Sequence, residues 1–176
     1  MCGIIGIIAR DDGRAGGDNL DDDNIIDHIL KGLALLRNRG YDSCGAGLLS
    51  QDGELIVKKF GSTTDNSNAL GLLTNAFETE KKKRAHAYKL GIGHNRWATH
   101  GSKSDINAHP HVSSDGQFMI VHNGIIENCN DLKRWLIDTH AYEFASQTDS
   151  EVIVALLSVL FTYGAEKGNV VGSIHS

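Results

Sequence analysis

The sequence predicts a mixed fold of the α+β kind, with helices laid against a sheet that is at least partly antiparallel. Three observations predict it. Short strand-like runs (Ile4–Ala9, Glu54–Phe60, Leu90–His94) alternate with longer runs that are apolar on one helical face. The pair Asp52-Gly53 stands between two strand-like runs, which is a hairpin signal. Twenty glycines against one proline favour tight turns and close backbone approaches.

Each element has its own reason. Ile4–Ala9 follows Gly3 as an apolar, β-branched run and is expected to be a buried strand with Cys2 at its end. Arg10–Leu20, rich in Gly, Asp and Asn, is expected to be a loop. Ile25, Ile26, Ile29, Leu30, Leu33 and Leu36 recur at helical spacing, with Asp21, Asp22 and Asp23 suited to the N-terminus and Arg37, Arg39 and Gly40 to the end. Ala46–Ser50 and Glu54–Phe60 read as a hairpin across Gln51-Asp52-Gly53, and the polar stretch Gly61–Ala69 as a loop. Ala69–Lys83 reads as a helix with Leu70, Leu73, Ala76 and Phe77 on one face, and the run Lys81–Arg84 as its solvated end. Leu90–His94 is a strand running into the polar segment from Asn95 to Gly101, and a second polar segment spans Ser102–His111. Phe118–His122 is a strand that ends in Asn123-Gly124. Asn128 or Asn130 is placed to cap a helix bearing Leu132, Trp135 and Leu136. Thr148-Asp149-Ser150-Glu151 matches a capping box, and the helix behind it, Val152–Phe161, is apolar nearly all round and expected to be deeply buried. The tail from Gly164 is small and polar.

Composition narrows the function. A net charge of -5 and a pI of about 5.9 offer nothing to hold nucleic acid or an anionic membrane. No run approaches transmembrane length, and no basic-then-apolar leader precedes the first strand, so a cytoplasmic location is expected. Cys2, Cys44 and Cys129 are odd in number and widely spaced, which fits neither a disulfide framework nor a zinc pattern. Cys44 and Cys129 read as small core residues.

Cys2 is different. Methionine before a small residue is normally removed, and the chain would then begin with a thiol and a free α-amine, which ordinarily titrate near roughly 8.5 and 7.7–8.0. Such a residue carries its own base, as in N-terminal hydrolases. Asn123-Gly124 offers one side-chain donor and one backbone N–H, the parts of an oxyanion hole. Alone it also reads as a hairpin turn, although Ile125-Ile126 lead toward a helix rather than a returning strand. Arg96 can bind a carboxylate bidentately or form a structural ion pair. Asp149 can bind an ammonium or complement a helix dipole. Together they suggest a clamp for the two charges of a free α-amino acid. His109-Pro110-His111 has the spacing of a metal pair, but no Asp or Glu is placed as an obvious further ligand, Asp105 being nearest.

Six segments then add up. Met1-Cys2-Gly3-Ile4, Arg39-Gly40-Tyr41-Asp42-Ser43, Gly93–Gly101 (GHNRWATHG), Asn107–His111 (NAHPH), His122–Asn128 (HNGIIEN) and Thr148–Glu151 (TDSE) resemble, in order, the successive motifs of class II glutamine amidotransferase domains. The RWATHG and NAHPH runs are similar to the fructose-6-phosphate-amidating branch of the hexosamine pathway, the glucosamine-6-phosphate synthases, rather than to the glutamine phosphoribosylpyrophosphate branch. The resemblance implies a four-layer αββα sandwich with an N-terminal nucleophile and no cofactor or metal. It implies that Cys2 attacks the side-chain amide of L-glutamine and that Asn123 and Gly124 hold the oxyanion. It further implies that Arg96 and Asp149 bind the substrate's α-carboxylate and α-ammonium. Trp97, Thr99 and His100 are implied as parts of a loop that closes over glutamine.

Two sugar-isomerase domains follow the glutaminase domain in that branch, and nothing in residues 1–176 resembles them. The glutaminase domain itself continues in that branch with further strands. The expectation is therefore a domain incomplete at its C-terminal end, which leaves two functional readings. One is glutamine hydrolysis feeding ammonia to a sugar-phosphate synthase; the other is a non-catalytic relative that binds glutamine or a full-length synthase subunit. Asn95 and Cys44 stand where threonine and alanine are usual.

Overall fold

The computed structural model describes residues 2–9, 24–62, 68–83, 88–97 and 102–166. Met1, the expected loop over 10–20, the acidic helix start at 21–23, loop residues 63–67, Arg84 of the basic run and the tail beyond 166 lie outside the described residues.

A four-stranded antiparallel sheet organises the N-terminal half, up to Arg96. Strands β1 (Gly3–Ile8), β2 (Ser43–Ser50), β3 (Leu55–Gly61) and β4 (Tyr88–Arg96) lie in the order β1-β4-β2-β3. β2 and β3 form the hairpin the Asp-Gly pair predicts, with Gly53 at φ 86 in its turn. Helices α1 (Asn24–Leu35) and α2 (Ala69–Lys83) cover one face. The register that sets Ile5 opposite Gly93 and Ile7 opposite Gly91 explains how closely α1 lies on β4. A Cβ at Gly93 would come within 3.0 Å of Ile29 and Ile5 and 3.1 Å of Leu33. Ile25, Ile26, Ile29, Leu30 and Leu33 of α1 and Leu73 and Phe77 of α2 close the core over Ala46, Leu48 and Ile56.

The opposite face of the sheet is covered only in part. A two-stranded ribbon, β5 (His111–Val112) with β6 (Met119–Ile120), lies over β2 together with the segment leading into it. Here Gly45 is obligatory, because a Cβ would sit 2.0 Å from the His109 carbonyl oxygen. Lys59, beside Gly45 on β3, donates to the carbonyls of Ile106 and Ala108 and pins the same segment. Toward β1 the sheet is left open among the described residues, and Ile4 and Ile8 are 41 % and 74 % exposed.

Two helices complete the described chain: α3 (Cys129–His140) and α4 (Glu151–Glu166) pack together around Leu136, Tyr142, Val152 and Ala155. Among the described residues no helix is long and apolar enough to cross a membrane.

Several expectations are corrected. The Ile4–Ala9 run is a strand but not a buried one: β1 is an edge strand, and only its Ile5 and Ile7 side faces a helix layer. The helix over Val152–Phe161 is not buried all round. Val152 and Ala155 face the core shared with α3, and Val154 is buried on another side, whereas Leu157, Leu160 and Phe161 are 42–56 % exposed. Phe161 meets Phe118 edge-on at 5.4 Å and is otherwise open to solvent. Trp135 is likewise 40 % exposed, its ring set against His140, while Leu136 fills the helix contact. Asn128 occupies the N-cap position of α3 without making a side-chain cap bond. The capping box does not form as written. Glu151 passes over Thr148 and accepts from the backbone N–H of Ala145 and Ser146 and from the Ser146 hydroxyl. That longer reach ties down the whole segment ahead of α4, and Asp149 with it.

Candidate active site

β1 and β4 run antiparallel with Gly3 opposite Asn95, so Cys2 meets the chain as it leaves β4. The Trp97 backbone N–H donates to Cys2 Sγ at 3.2 Å. Strand β4 continues through Asn95 and Arg96, two residues past the expected end at His94. Arg96 is therefore held by sheet hydrogen bonds rather than by a loop. Its carbonyl accepts from Asp42 N–H, and its guanidinium donates to the Ser102 carbonyl at 3.3 Å. Burial lowers the Arg96 pKa, and the nearby Cys2, Asp42 and Asp149 oppose that shift.

Asn123-Gly124 does not make a hairpin turn. The chain leaves β6, passes through this pair and goes on to α3. The Asn123 amide donates from Nδ2 to the Cys2 carbonyl at 3.2 Å, across 121 residues of sequence. Asp149 accepts at Oδ2 from the Ile126 backbone N–H at 2.7 Å, which fixes the start of α4 against the turn after Gly124.

Cys2, Arg96, Trp97, Asn123, Gly124 and Asp149 thus line one cleft of about 50 Å³. These are the expected site residues that fall among the described ones; Thr99 and His100 lie outside them. Trp97 stands at the rim, 42 % exposed, with its ring edge-on to Tyr41 at 5.3 Å. A larger cavity of about 570 Å³ lies on the helix side, between Arg37, Tyr41 and the start of α2. Its one thiol, Cys44, is pushed up to about 12 by burial, so it stays protonated and unreactive. Cys2, Arg96 and Asp149 line the smaller cleft and not this cavity. Cys129 is partly buried against α3 and α4.

Residues to which the sequence assigned no part in the cleft hold it in shape. Asn107 and Gln147 exchange two hydrogen bonds, at 2.9 and 3.1 Å, and lock the segment before His109 to the one before Asp149. Asn107 also donates to the Ser102 carbonyl that receives Arg96. His111 Nε2 bonds Thr148, and His122 Nδ1 bonds Ser150. His94 Nε2 bonds Asn123 Oδ1 at 2.9 Å. Asn107, His94 and His122 all occur inside the motif runs, but only their tertiary partners disclose what they support. Among the described residues no group of three or more His, Cys, Asp or Glu could hold a metal. His109 Nδ1 instead accepts from the His122 backbone N–H, and His111 is engaged by Thr148.

Three of these imidazoles are buried and neutral. Burial pushes His94 down to about 4, against the opposing pull of Asn123 and the His122 backbone. It pushes His111 down to about 3 and lowers His109 as well, with the neighbours His94 and His111 adding to the effect on His109. An unfolded histidine titrates near roughly 6.5. Below that pH the unfolded chain takes up protons that the native chain refuses, so stability is lost as pH falls from about 6.5 toward 4. Each such imidazole contributes a slope of up to about 1.4 kcal/mol per pH unit in that window. Urea unfolding at pH 7 and pH 5.5 is expected to show a clear drop at the lower pH; equal stabilities would contradict the burial of these rings.

Comparison with known proteins shows the family. Residues 79–168 match the family model described as a glutamine amidotransferase domain, which spans half the chain. The chain is similar to the glutamine–fructose-6-phosphate aminotransferase (isomerizing) of Caldanaerobacter subterraneus subsp. tengcongensis, with 41% identity over 161 residues, 92% of this chain and 22% of the relative. It is 42% identical over 164 residues to the enzyme of that name from Lactiplantibacillus plantarum, again 92% of this chain and 23% of the relative. The Corynebacterium efficiens enzyme is 41% identical over 169 residues, 94% of this chain and 24% of the relative. The chain therefore spans less than a quarter of the length of the curated relatives it matches. A ternary complex of Dbh DNA polymerase aligns at a TM-score of 0.36 and 11% identity over 55% of this chain and 28% of that one, too little to carry an argument.

Proposed function

The chain belongs to the glutamine amidotransferase domain family, and on that premise we propose that it hydrolyses the side-chain amide of L-glutamine to glutamate and ammonia. The observation that carries the reading is the convergence of a thiol, an amide donor and an opposed Arg–Asp pair, Cys2, Asn123, Arg96 and Asp149, on one cleft.

Once Met1 is removed, Cys2 has a free α-amine. Its Sγ attacks the amide carbon of glutamine while the thiol proton passes to that amine. The carbonyl oxygen becomes an oxyanion that accepts from Asn123 Nδ2 and the Gly124 N–H. The C–N bond then breaks, the α-ammonium returns the proton to the leaving nitrogen, and ammonia departs from a γ-glutamyl thioester on Cys2. Water attacks the thioester with the same amine as base, which releases glutamate and restores the thiol. Arg96 holds the substrate α-carboxylate and Asp149 its α-ammonium, which places the distal amide at Cys2. Trp97, with Thr99 and His100, closes the cleft and limits water before the thioester forms.

The fold we assign is the four-layer αββα sandwich, with residues 1–176 forming the glutaminase part. The partly open sheet face at Ile4 and Ile8 and the exposed side of α4 support it, since both are apolar surfaces suited to a second sheet. We further propose that the ammonia is destined for fructose 6-phosphate, the sugar phosphate in the relatives' names, in a linked sugar-isomerase unit, and that the setting is the cytoplasm.

The amino-acid clamp has its own test. Arg96→Lys is expected to lower kcat/KM for glutamine about 10²–10³-fold, mostly through KM, because a lysine cannot replace bidentate binding. Asp149→Asn is expected to cost a similar amount with glutamine. With an analogue that lacks the α-amine it should cost less than about twofold, since there is then no ammonium to lose. Equal losses on both substrates would remove Asp149 from ammonium binding.

A further inference from the structure

We propose that His94 is a positioning residue for the oxyanion hole: its Nε2–H holds Asn123 Oδ1 and so turns the Asn123 Nδ2 donor toward Cys2. The catalytic consequence rests on the glutaminase reading; the orientation itself rests on geometry alone.

The hydrogen-bond directions leave one consistent assignment. The Cys2 carbonyl oxygen can only accept, so the Asn123 atom 3.2 Å from it must be the NH₂ group. The other amide atom, 2.9 Å from His94 Nε2, is then the oxygen, which also only accepts. His94 must therefore donate from Nε2. The opposite tautomer would place a buried N–H at Nδ1, and among the described residues Nδ1 has no hydrogen-bond partner. A bare nitrogen at that position costs less than an unsatisfied donor.

The ring is well held for this task. His94 is 1 % exposed, on the strand flanked by Ile4 of β1 and Gly45 of β2. The His109 ring stacks on it at 4.3 Å with an interplanar angle of 19°. His109 is in turn seated by Gly45, whose missing side chain leaves space for the His109 carbonyl. A rigid strand residue thus sets the amide plane of a residue that lies between β6 and α3. The bond to His94 is what fixes the oxygen end of the Asn123 amide. Without it only the Nδ2 bond to the Cys2 carbonyl would hold the amide, and the donor would be less firmly aimed at a developing negative charge.

The experiment uses the full chain and two independent readouts. In long-range nitrogen–proton spectra at pH 7, His94 is expected as the Nε2–H tautomer, with a ring proton whose exchange accelerates at least about tenfold in Asn123→Ala. An Nδ1–H tautomer would overturn the proposal whether or not the chain is active. In kinetics, His94→Leu is expected to lower kcat about 10–100-fold with KM little changed, and His94→Gln, which keeps a donor at the equivalent atom, to stay within about threefold of the parent. In an Asn123→Ala background His94→Leu should change kcat less than about twofold, because the group it orients is already gone. The proposal fails if His94→Gln is no better than His94→Leu, or if His94→Leu is equally damaging in both backgrounds. If the parent chain shows no Cys2-dependent glutamate release, the glutaminase reading fails, and the tautomer and its coupling to Asn123 alone decide the orientation.

Discussion

Cys2→Ala is expected to abolish glutamate release, with kcat reduced at least about 10⁴-fold. In the proposed mechanism every bond change passes through the Cys2 sulfur and the Cys2 nitrogen, so no neighbouring group can take over. The loss should come without unfolding. The thiol is only partly buried, and its sulfur bonds the Trp97 backbone rather than a core side chain. A change in unfolding free energy within about 1 kcal/mol is expected. Blocking removal of Met1 should reproduce the defect with the thiol intact, because an amide nitrogen cannot accept the thiol proton. Measured together, glutamate release and urea unfolding separate a lost nucleophile from a lost fold.

The second large effect is expected at Asn123. Asn123→Ala should lower kcat about 10²–10³-fold and leave KM nearly unchanged. The reason is timing: the Nδ2 donor is aimed at charge that exists only in the transition state, whereas Arg96 and Asp149 grip charges that glutamine carries throughout. Asn123→Asp should be worse still, since a carboxylate would face the oxyanion. A substitution at Asn123 that raised KM and spared kcat would move this residue from the oxyanion hole to substrate binding.

The parts of the fold legible in the sequence were those set by local periodicity. Helix α2 matches its expected bounds because Leu70 to Phe77 follow a one-sided helical spacing; Ile25 to Leu33 predict α1 in the same way, although it stops at Leu35 and the basic end expected at Arg37–Gly40 forms a separate 3-10 turn over Arg37–Arg39. The β2–β3 hairpin followed from Asp52-Gly53 for the same local reason. What was not legible depends on what packs where. Ile4 and Ile8 look like core residues in sequence, and only the sheet order shows that β1 is an edge. Asn95 and Arg96 look like loop residues, yet pairing with Gly3 and Ser43 draws them into β4. Glu151 looks like half of a local box and instead serves Ala145 and Ser146. The candidate site was more legible than its supports. Cys2, Arg96, Asn123 and Asp149 could be assigned from motifs, whereas Asn107–Gln147 and His94–Asn123 join residues 40 and 29 positions apart.

The most direct test of the mechanism is intact-mass analysis of the chain acid-quenched during turnover of glutamine, followed by mapping of the modified peptide. The mechanism predicts a chain that begins at Cys2 and carries one γ-glutamyl group on that residue, lost again when glutamine is exhausted. Glutamate release with no adduct on Cys2, or with the adduct on another residue, would contradict it.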